Sequence, residues 1–207
     1  MAFCKKVNKN FSYNAFIFEI LRKGSNMNEY FVDFYDSPLE KMVLFSDGAN
    51  LTGLYFDSSV NLGDFGANLC EISTDSQDIF TRTKEWLDLY FGGKNPQFAP
   101  PLKFPDNASH FALRVWEILQ GIHYGKTTTY GKIAKQIARE FGIVKMSAQA
   151  VGGAVGRNPI SIIVPCHRVI GVNGNITGYA GGIDKKLALL RLEGIALDSL
   201  KMPKNKA

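Results

Sequence analysis

The sequence predicts an α+β protein of two domains: a small N-terminal antiparallel sheet with a helix on it, and a mainly helical C-terminal domain with a helix-turn-helix and a short wing. Short aromatic-rich runs with tight turns fill the first part of the chain, and apolar residues at helical spacing fill the last part. A stretch with four prolines, 95–107, separates them and predicts a stiff linker. We therefore place the domains at 29–94 and 108–197, between an extension of unknown role, 1–28, and a tail, 198–207.

The N-terminal domain begins with three runs of aromatic and β-branched residues that predict strands: 30–36, 42–45 and 51–56. Ser37-Pro38 turns the chain after the first strand, and Asp47-Gly48 is a favoured tight-turn pair after the second. Glycine, asparagine and serine dominate 57–73, which we predict to be a loop. Five residues then fall on one face of a helix that Gly92-Gly93 ends: Ile79, Thr83, Trp86, Leu87 and Tyr90.

The C-terminal domain is predicted from helical spacing and from residues that cap helices. An apolar stripe over 111–122 predicts one helix, Thr129 is placed to cap a second, and Ser147 is placed to cap a third, 148–156. The second and third helices are joined by a brief turn, which is typical of a helix-turn-helix. Beyond them, Asn173-Gly174 lies in the middle of a predicted small hairpin.

The charge of the chain is divided unevenly between its two parts. Residues 1–109 hold 10 basic and 14 acidic side chains, a net charge of −4, whereas residues 110–207 hold 14 and 5, a net charge of +9. These values agree with the total of +5. A strongly basic half indicates a polyanion as partner, and nucleic acid is the first candidate.

Composition excludes several other classes of protein. The chain is 45% apolar and 21% charged, an ordinary globular mixture, and no apolar run approaches the roughly 18 residues of a membrane span. It begins with no recognisable secretory signal, so we expect a cytoplasmic protein that does not bind membranes. Three widely separated cysteines are too few for a disulfide framework or a zinc cluster, so we expect no metal site.

One segment carries the features of a reactive site. The apolar run 162–164 predicts a buried strand, and it leads into Pro165-Cys166-His167-Arg168. A cysteine becomes a nucleophile as its thiolate, which a neighbouring base or cation favours. A bare Cys-His pair is more often structural. Adjacent side chains on a strand also point to opposite faces, so we expect any proton transfer between Cys166 and His167 to pass through one water.

The motif Pro165-Cys166-His167-Arg168-Val169 resembles the active-site motif of the O6-alkylguanine-DNA alkyltransferases, or methylated-DNA–protein-cysteine methyltransferases. Similar blocks surround it in the family's order over about 29–197: Asp36-Ser37-Pro38-Leu39, Leu51-Thr52-Gly53-Leu54, Thr129-Tyr130-Gly131-Lys132-Ile133-Ala134, Ala150-Val151-Gly152, Gly156-Arg157-Asn158-Pro159, Thr177-Gly178-Tyr179-Ala180-Gly181-Gly182 and Leu189-Leu190-Arg191-Leu192-Glu193-Gly194. A motif of five residues is short enough to occur by chance. Several blocks in the same order around it are a strong signal of the family.

The resemblance implies a ribonuclease-H-like N-terminal domain and a suicidal DNA-repair reaction. Cys166 would accept a methyl or other alkyl group from O6 of a flipped-out guanine in duplex DNA, giving a stable thioether after a single turnover without a cofactor. His167 would deprotonate Cys166 through a water, and Glu193 would orient His167. Asn158 would hold the turn beneath the site, and Tyr130 would protonate guanine N3 or help to rotate the nucleotide.

The resemblance also implies that a monomer binds the minor groove through the helix 148–156. Lys132, Lys135, Lys145 and Arg157 would contact phosphates. Substrate and DNA contacts are implied at seven positions: Gln149, Ala148, Tyr179, Ala180, Val169, Arg157 and Lys132. Gln149 stands where the family usually places an arginine that fills the gap left by the flipped base. We therefore predict weaker stabilisation of the flipped state without loss of activity.

Two other classes of function remain as alternatives. Some relatives recognise the lesion without chemistry, but their reactive cysteine is replaced, commonly by tryptophan, whereas Cys166 is present here. A cysteine hydrolase would use Cys166 and His167 with turnover, but no glycine-rich nucleophile elbow surrounds Cys166. A stoichiometric protein is distinguished from a hydrolase because it stops at one event per chain.

Overall fold

The computed structural model describes residues 29–60, 68–71 and 78–202 of the chain. The described residues form two compact units that divide between Lys103 and Phe104, inside the stretch predicted as a linker. The extension 1–28, and the part of the predicted tail from 203 onwards, lie outside the described residues. Within the described part of the chain, no helix is long and apolar enough to cross a membrane.

The N-terminal unit contains the three predicted antiparallel strands, β1 (Glu29–Asp36), β2 (Lys41–Ser46) and β3 (Leu51–Phe56). They pair in the order β3-β2-β1, and a fourth strand, β4 (Asn68–Glu71), pairs in parallel with β1. The prediction that residues 57–73 form a loop is wrong at β4, which lies within that range. Its four residues lack an alternating pattern, and their strand conformation depends on hydrogen bonds that β1 supplies from a distant part of the chain.

The helix α1 (Asp78–Phe91) contacts β2 and β3 in the N-terminal unit. Its buried face contains every residue of the predicted stripe. Gly93, with φ +74°, follows the last turn as predicted, because glycine adopts this left-handed conformation without a steric cost. The sheet contributes a buried strand to the same unit, since β2 is buried at every position after Lys41.

The C-terminal unit is built on three capped helices: α2 (His110–Gln120), α3 (Tyr130–Glu140) and α4 (Ala148–Gly156). The hydroxyl groups of Ser109, Thr129 and Ser147 accept hydrogen bonds from the first-turn amides of α2, α3 and α4 respectively, as capping residues do. The three helices contact one another, and the indole N–H of Trp116 donates to the carbonyl of Ala154 at 2.9 Å. The predicted helix-turn-helix is therefore formed by α3 and α4.

The predicted hairpin beyond the helix-turn-helix is confirmed only as a closed turn, in which the Gly171 amide donates to the Asn175 carbonyl at 2.7 Å, and its two arms do not pair as strands. The chain does turn at Asn173-Gly174, where both residues have positive φ, but strand β6 (Val169–Ile170) pairs in parallel with β5 (Thr128–Thr129). The segment after the turn instead bonds to the C-terminal end of the described chain, where the Ile176 amide donates to the Lys201 carbonyl at 2.8 Å. A tight turn is encoded locally, whereas the strand that pairs beside it is chosen by tertiary packing.

The last helix, α5 (Ile183–Leu192), buries one face against the rest of the C-terminal unit. It contacts the turn that carries Cys166, and Gly194 with φ +79° follows it. Glu193, the residue between the helix and this glycine, is thereby placed in the interior.

Candidate active site

Cys166 lies at the start of a short 3-10 turn, Cys166–Arg168, rather than after the buried strand that the apolar run predicts. The residues before it form a turn, in which the Val164 amide donates to the Ile160 carbonyl at 3.1 Å. Ile162 is fully buried in this turn and has φ +68°, a region that β-branched residues rarely occupy. Such a backbone conformation costs of order 1–3 kcal/mol of folding free energy, and it persists where the surrounding packing enforces it.

Asn158 joins this turn to the thiol. Its side-chain amide lies 2.8 Å from the Val164 carbonyl and 3.2 Å from the Ile160 carbonyl, and its side-chain oxygen accepts from the Ile160 amide at 3.1 Å. The same amide nitrogen lies 3.1 Å from Cys166 Sγ. The side chain therefore both holds the turn, as the resemblance implies, and presents an N–H donor to the sulfur.

His167, Arg168 and Glu193 form a buried network next to Cys166. His167 Nε2 lies 2.7 Å from Glu193 Oε1, and Arg168 Nε and Nη2 each donate to this carboxylate at 2.9 Å. The Gly125 amide donates to Glu193 Oε2 at 3.1 Å. Glu193 therefore accepts from several donors, which is what a buried carboxylate needs to stay ionised.

The electrostatics of the network set the tautomer of the imidazole. Burial raises the pKa of Glu193, but the hydrogen bonds and charges of His167 and Arg168 outweigh it and lower that pKa to about 2. Burial lowers the pKa of His167 despite its carboxylate partner. A neutral His167 that faces an ionised Glu193 through Nε2 carries its proton there, so Nδ1 is its basic nitrogen.

A buried cation that was not predicted from the sequence, Lys186, lies in the same region. Its side chain is fully buried in α5, and Nζ donates to the Val169 carbonyl at 2.7 Å. Burial lowers the pKa of Lys186 to about 8, and its charge opposes the effect of burial on Cys166, whose pKa burial raises. The available signal was its position three residues after Ile183 and four before Leu190, on the apolar face of α5.

Cys166 lines an open cleft of about 840 Å³ in the C-terminal unit. The cleft brings together seven of the predicted site residues: Cys166, Asn158, Tyr130, Ala148, Gln149, Tyr179 and Ala180. A volume of this size is in the range of small-molecule sites. Its walls come from α3, α4 and the segment after the Asn173-Gly174 turn, which are separate along the chain.

Two tyrosines of the cleft have raised pKa values and keep their protons at neutral pH. Burial raises the pKa of Tyr130, and the charge of Cys166 raises it further. The hydrogen bond from Thr177 lowers this pKa but does not outweigh burial. Thr177 Oγ1 donates to the Tyr130 hydroxyl at 2.9 Å. Burial raises the pKa of Tyr179 well above its ordinary value, the charge of Cys166 adds to this, and Ser161 opposes it. Thr177, which lines the cleft, is a site residue that was not predicted from the sequence.

The remaining predicted contact residues lie outside the cleft wall. Lys132 and Arg157 are exposed, and Lys132 lines a different groove together with His123 and Lys126. The expectation that Val169 contacts the substrate is not supported for its side chain, which is fully buried. The main-chain carbonyl of Val169 is engaged by Lys186, because β6 runs through the interior of the unit.

Comparison with known proteins finds matches over both units. Residues 26–104 match the ribonuclease-like domain of 6-O-methylguanine DNA methyltransferase, and residues 110–195 match the DNA-binding domain of the same family. The matched regions contain the sheet in the first unit and the capped helices, Cys166 and Glu193 in the second.

Similar relatives share the sequence over most of their length. A methylated-DNA–protein-cysteine methyltransferase of Haemophilus influenzae is 35% identical over 82% of this chain and 89% of its own, and that of Methanosarcina acetivorans is 38% identical over 77% and 96%. The crystal structure of Mycobacterium tuberculosis OGT in complex with DNA aligns at a TM-score of 0.64 and 37% identity, covering 80% of this chain and 92% of that one. The chain therefore belongs to the methylated-DNA–protein-cysteine methyltransferase family.

Proposed function

We propose that this protein repairs DNA by direct reversal, moving a methyl or other alkyl group from O6 of guanine in duplex DNA irreversibly to its own Cys166. The observation that carries the proposal is a buried thiol on the wall of an open cleft, beside Asn158 and the His167–Glu193 pair. The thioether is stable, so each chain reacts once and needs no cofactor. The activity is that of a methylated-DNA–[protein]-cysteine S-methyltransferase with a single turnover.

The first step generates the thiolate. The Cys166 proton passes through a water to His167 Nδ1, and the imidazolium that forms is stabilised by Glu193, as in other nucleophile–base–carboxylate arrangements. The Asn158 N–H donates to the sulfur and favours its anionic form. Burial raises the pKa of the thiol, so these groups, with the nearby Lys186, supply the compensation that the displacement requires.

The second step is an in-line displacement at the alkyl carbon. A bond forms between Cys166 Sγ and carbon as the bond from carbon to O6 breaks, and its electron pair stays on guanine. Tyr130 donates its proton to guanine N3 and neutralises the leaving base. Tyr179 and Ala180, on the cleft wall formed by the segment after the Asn173-Gly174 turn, cover the base while it occupies the cleft.

The target atom lies inside the duplex, so the nucleotide must be rotated out of the stack at a cost of a few kcal/mol. Small residues on α4 let the helix approach the minor groove closely: Ala148, Ala150, Gly152 and Gly153. Gln149 lies in the first turn of α4 at the wall of the cleft, from where it would enter the gap that the flipped base leaves in the duplex. An amide carries no charge, so we expect this wedge to be weaker than an arginine.

A basic groove adjoins the cleft and provides phosphate contacts. Among the described residues, those that line it include Lys135, Arg139 and Lys145 and no acidic side chain. Gly131 and Ala148 line both the groove and the cleft, so a strand bound at the cleft continues into the groove. Together with Arg157 and Lys132, these cations position DNA without reading its sequence.

We place the protein in the cytoplasm and expect a monomer to act. A free thiol is the reactant, and thiols stay reduced in that compartment. Each side chain of the proposed reaction belongs to one unit of one chain, so the chemistry needs no second copy.

The test is a mass measurement on protein mixed with duplex DNA that carries one O6-methylguanine. We expect the Cys166 peptide to gain one methylene, with a plateau at one per chain, and the Cys166→Ala variant to gain nothing. Binding of the lesion without a change in peptide mass would instead favour a recognition protein. Continued release of product beyond one event per chain would favour a hydrolase.

A further inference from the structure

We propose that Thr177 is a positioning residue for the transfer step: its hydroxyl donates to the Tyr130 phenol oxygen and leaves the phenol proton directed at the base in the cleft. This inference rests on the proposed function, in which Tyr130 protonates guanine N3. Thr177 Oγ1 and the Tyr130 hydroxyl are 2.9 Å apart, and both residues line the cleft with Cys166.

Thr177 has contacts besides the one with Tyr130, and they hold its side chain and its backbone in place. A Cβ added to Gly171 would lie 3.3 Å from Thr177 Cγ2, so the threonine methyl fills the space beside Gly171. The preceding residue, Ile176, is buried, and its amide donates to the Lys201 carbonyl at 2.8 Å. The backbone next to Thr177 is therefore fixed by a hydrogen bond. The methyl group of Thr177 contacts the Gly171 region, and its hydroxyl group contacts Tyr130.

Tyr130 is held by a contact with α4. A Cβ added to Gly152 would lie 3.7 Å from its ring, so the ring packs in van der Waals contact against α4. A tyrosine hydroxyl has one proton, and it cannot give that proton to Thr177 and to a base at once. With Thr177 as donor, the phenol proton remains available to the cleft.

The same hydrogen bond stabilises the phenol oxygen after it has given up its proton. As the C–O6 bond breaks, its electron pair stays on guanine, N3 takes the Tyr130 proton, and the phenolate accepts the Thr177 O–H. The phenolate then regains a proton from water, while the proton lost by the thiol leaves from His167, so protons balance. Cys166 is the titratable group whose charge acts on Tyr130. Its charge disfavours a phenolate, and it disappears when the thioether forms.

The test compares Thr177→Val, which keeps the shape but removes the donor, with Thr177→Ser, which keeps the donor but removes the methyl. Single-turnover methyl transfer is measured at saturating DNA. We expect Thr177→Val to slow transfer about tenfold, the factor that ~1.4 kcal/mol makes in a rate, and Thr177→Ser to stay within about twofold of wild type. Thr128→Val is the matched control outside the cleft and should react as wild type does.

Two further arms separate positioning from a structural role. In the Tyr130→Phe background, Thr177→Val should not lower the rate of methyl transfer any further, because the hydrogen bond is already absent. On a duplex with O6-methyl-3-deazaguanine, in which carbon replaces N3, wild type and Thr177→Val should react equally. An additional loss in either arm would overturn the proposal, as would an unchanged rate for Thr177→Val or an equal loss for Thr177→Ser.

Failure of this inference is distinguishable from failure of the proposed function. If wild type transfers no methyl group, the proposed function fails; if wild type transfers it and Thr177→Val matches that rate, only the inference about Thr177 fails. Thermal unfolding of each variant is followed alongside. Should Thr177→Val not fold, Thr177→Ala removes the same donor and carries the same comparison with Thr177→Ser.

Discussion

Glu193 is a buried carboxylate whose ionisation depends on three neighbours. His167, Arg168 and the Gly125 amide all bond to it, so the charge is compensated in the interior. Removing one partner from such a network leaves a buried charge uncompensated, which costs more than the loss of the bond itself. The same carboxylate therefore contributes to the fold and to the proposed base.

We predict that Glu193 makes the protein less stable in acid. Its folded pKa of about 2 lies below the ordinary 4.5, so its contribution is complete above about pH 4.5 and is lost as the pH falls toward 2. The difference corresponds to about 3 kcal/mol. Urea unfolding between pH 2 and 6 measures it. Glu193→Gln should flatten the profile, whereas the surface control Glu117→Gln should keep it; equal slopes in wild type and Glu193→Gln would contradict the assignment.

Lys186 is a buried ammonium whose role we expect to be electrostatic. With a pKa of about 8 it is charged at pH 7 and stabilises a thiolate at Cys166. We predict that Lys186→Met raises the pKa of Cys166 and slows methyl transfer about tenfold at pH 7. The substitution also leaves the Val169 carbonyl without this donor, so stability should fall by about 1–3 kcal/mol.

The pH dependence of Cys166 alkylation by a small thiol reagent measures this pKa in both proteins. Lys185→Met, one position earlier in α5, is the matched control. An unchanged alkylation profile in Lys186→Met would show that the cation does not act on the thiol.

The helix α4 depends on its first turn, because Ala148 and Gln149 of that turn line the cleft. Ser147 caps the helix by accepting from the Gln149 and Ala150 amides at 3.2 and 3.4 Å. We predict that Ser147→Ala lowers stability by about 1 kcal/mol and also weakens binding to O6-methylguanine DNA, since a frayed turn presents these residues poorly.

Ser109 provides the matched control for this element, because it caps α2 in the same manner and does not line the cleft. Ser109→Ala should lower stability by a similar amount and leave DNA affinity unchanged once both proteins are folded. Unfolding in urea and titration with fluorescent duplex measure the two quantities. An equal loss of DNA affinity in both variants would indicate a general effect of stability.

The whole molecule separates its charge, with a net +9 over residues 110–207 and −4 over the rest. The basic part contains the cleft and the adjoining groove. Binding to lesion-free DNA should therefore weaken steeply with salt, because phosphate contacts release counterions. This affinity is expected to be independent of DNA sequence.

We predict that Lys145→Glu weakens binding to all duplexes and reduces the slope of log affinity against log salt by about 1 or more. Lys94→Glu makes the same change of charge on an exposed residue of the N-terminal unit. It should affect the slope far less if the groove is the binding surface. Equal effects of the two variants would attribute DNA affinity to overall charge instead.

Features with local signals were predicted correctly. Three strands, the face of α1 and the caps of α2, α3 and α4 depend on residue patterns within a few turns or a few residues. Features that depend on distant partners were not. β4 forms on the edge of β1, and the expected hairpin is replaced by the pairing of β6 with β5. The apolar run 162–164 indicates burial, and it could not distinguish a strand from a buried turn.

The sequence by itself determined the fold class, the capped helices, the reactive motif at Cys166 and the family to which the motif belongs. Each of these depends on short segments of neighbouring residues that can be recognised without knowing the tertiary contacts. Only the tertiary structure decided what surrounds the thiol. The Asn158 N–H reaches the sulfur eight residues away, and Arg168 reaches Glu193 and Thr177 reaches Tyr130 across much longer stretches of the chain. Hydrogen bonds and charges act over a few ångströms in space, so their partners are set by packing rather than by spacing along the chain.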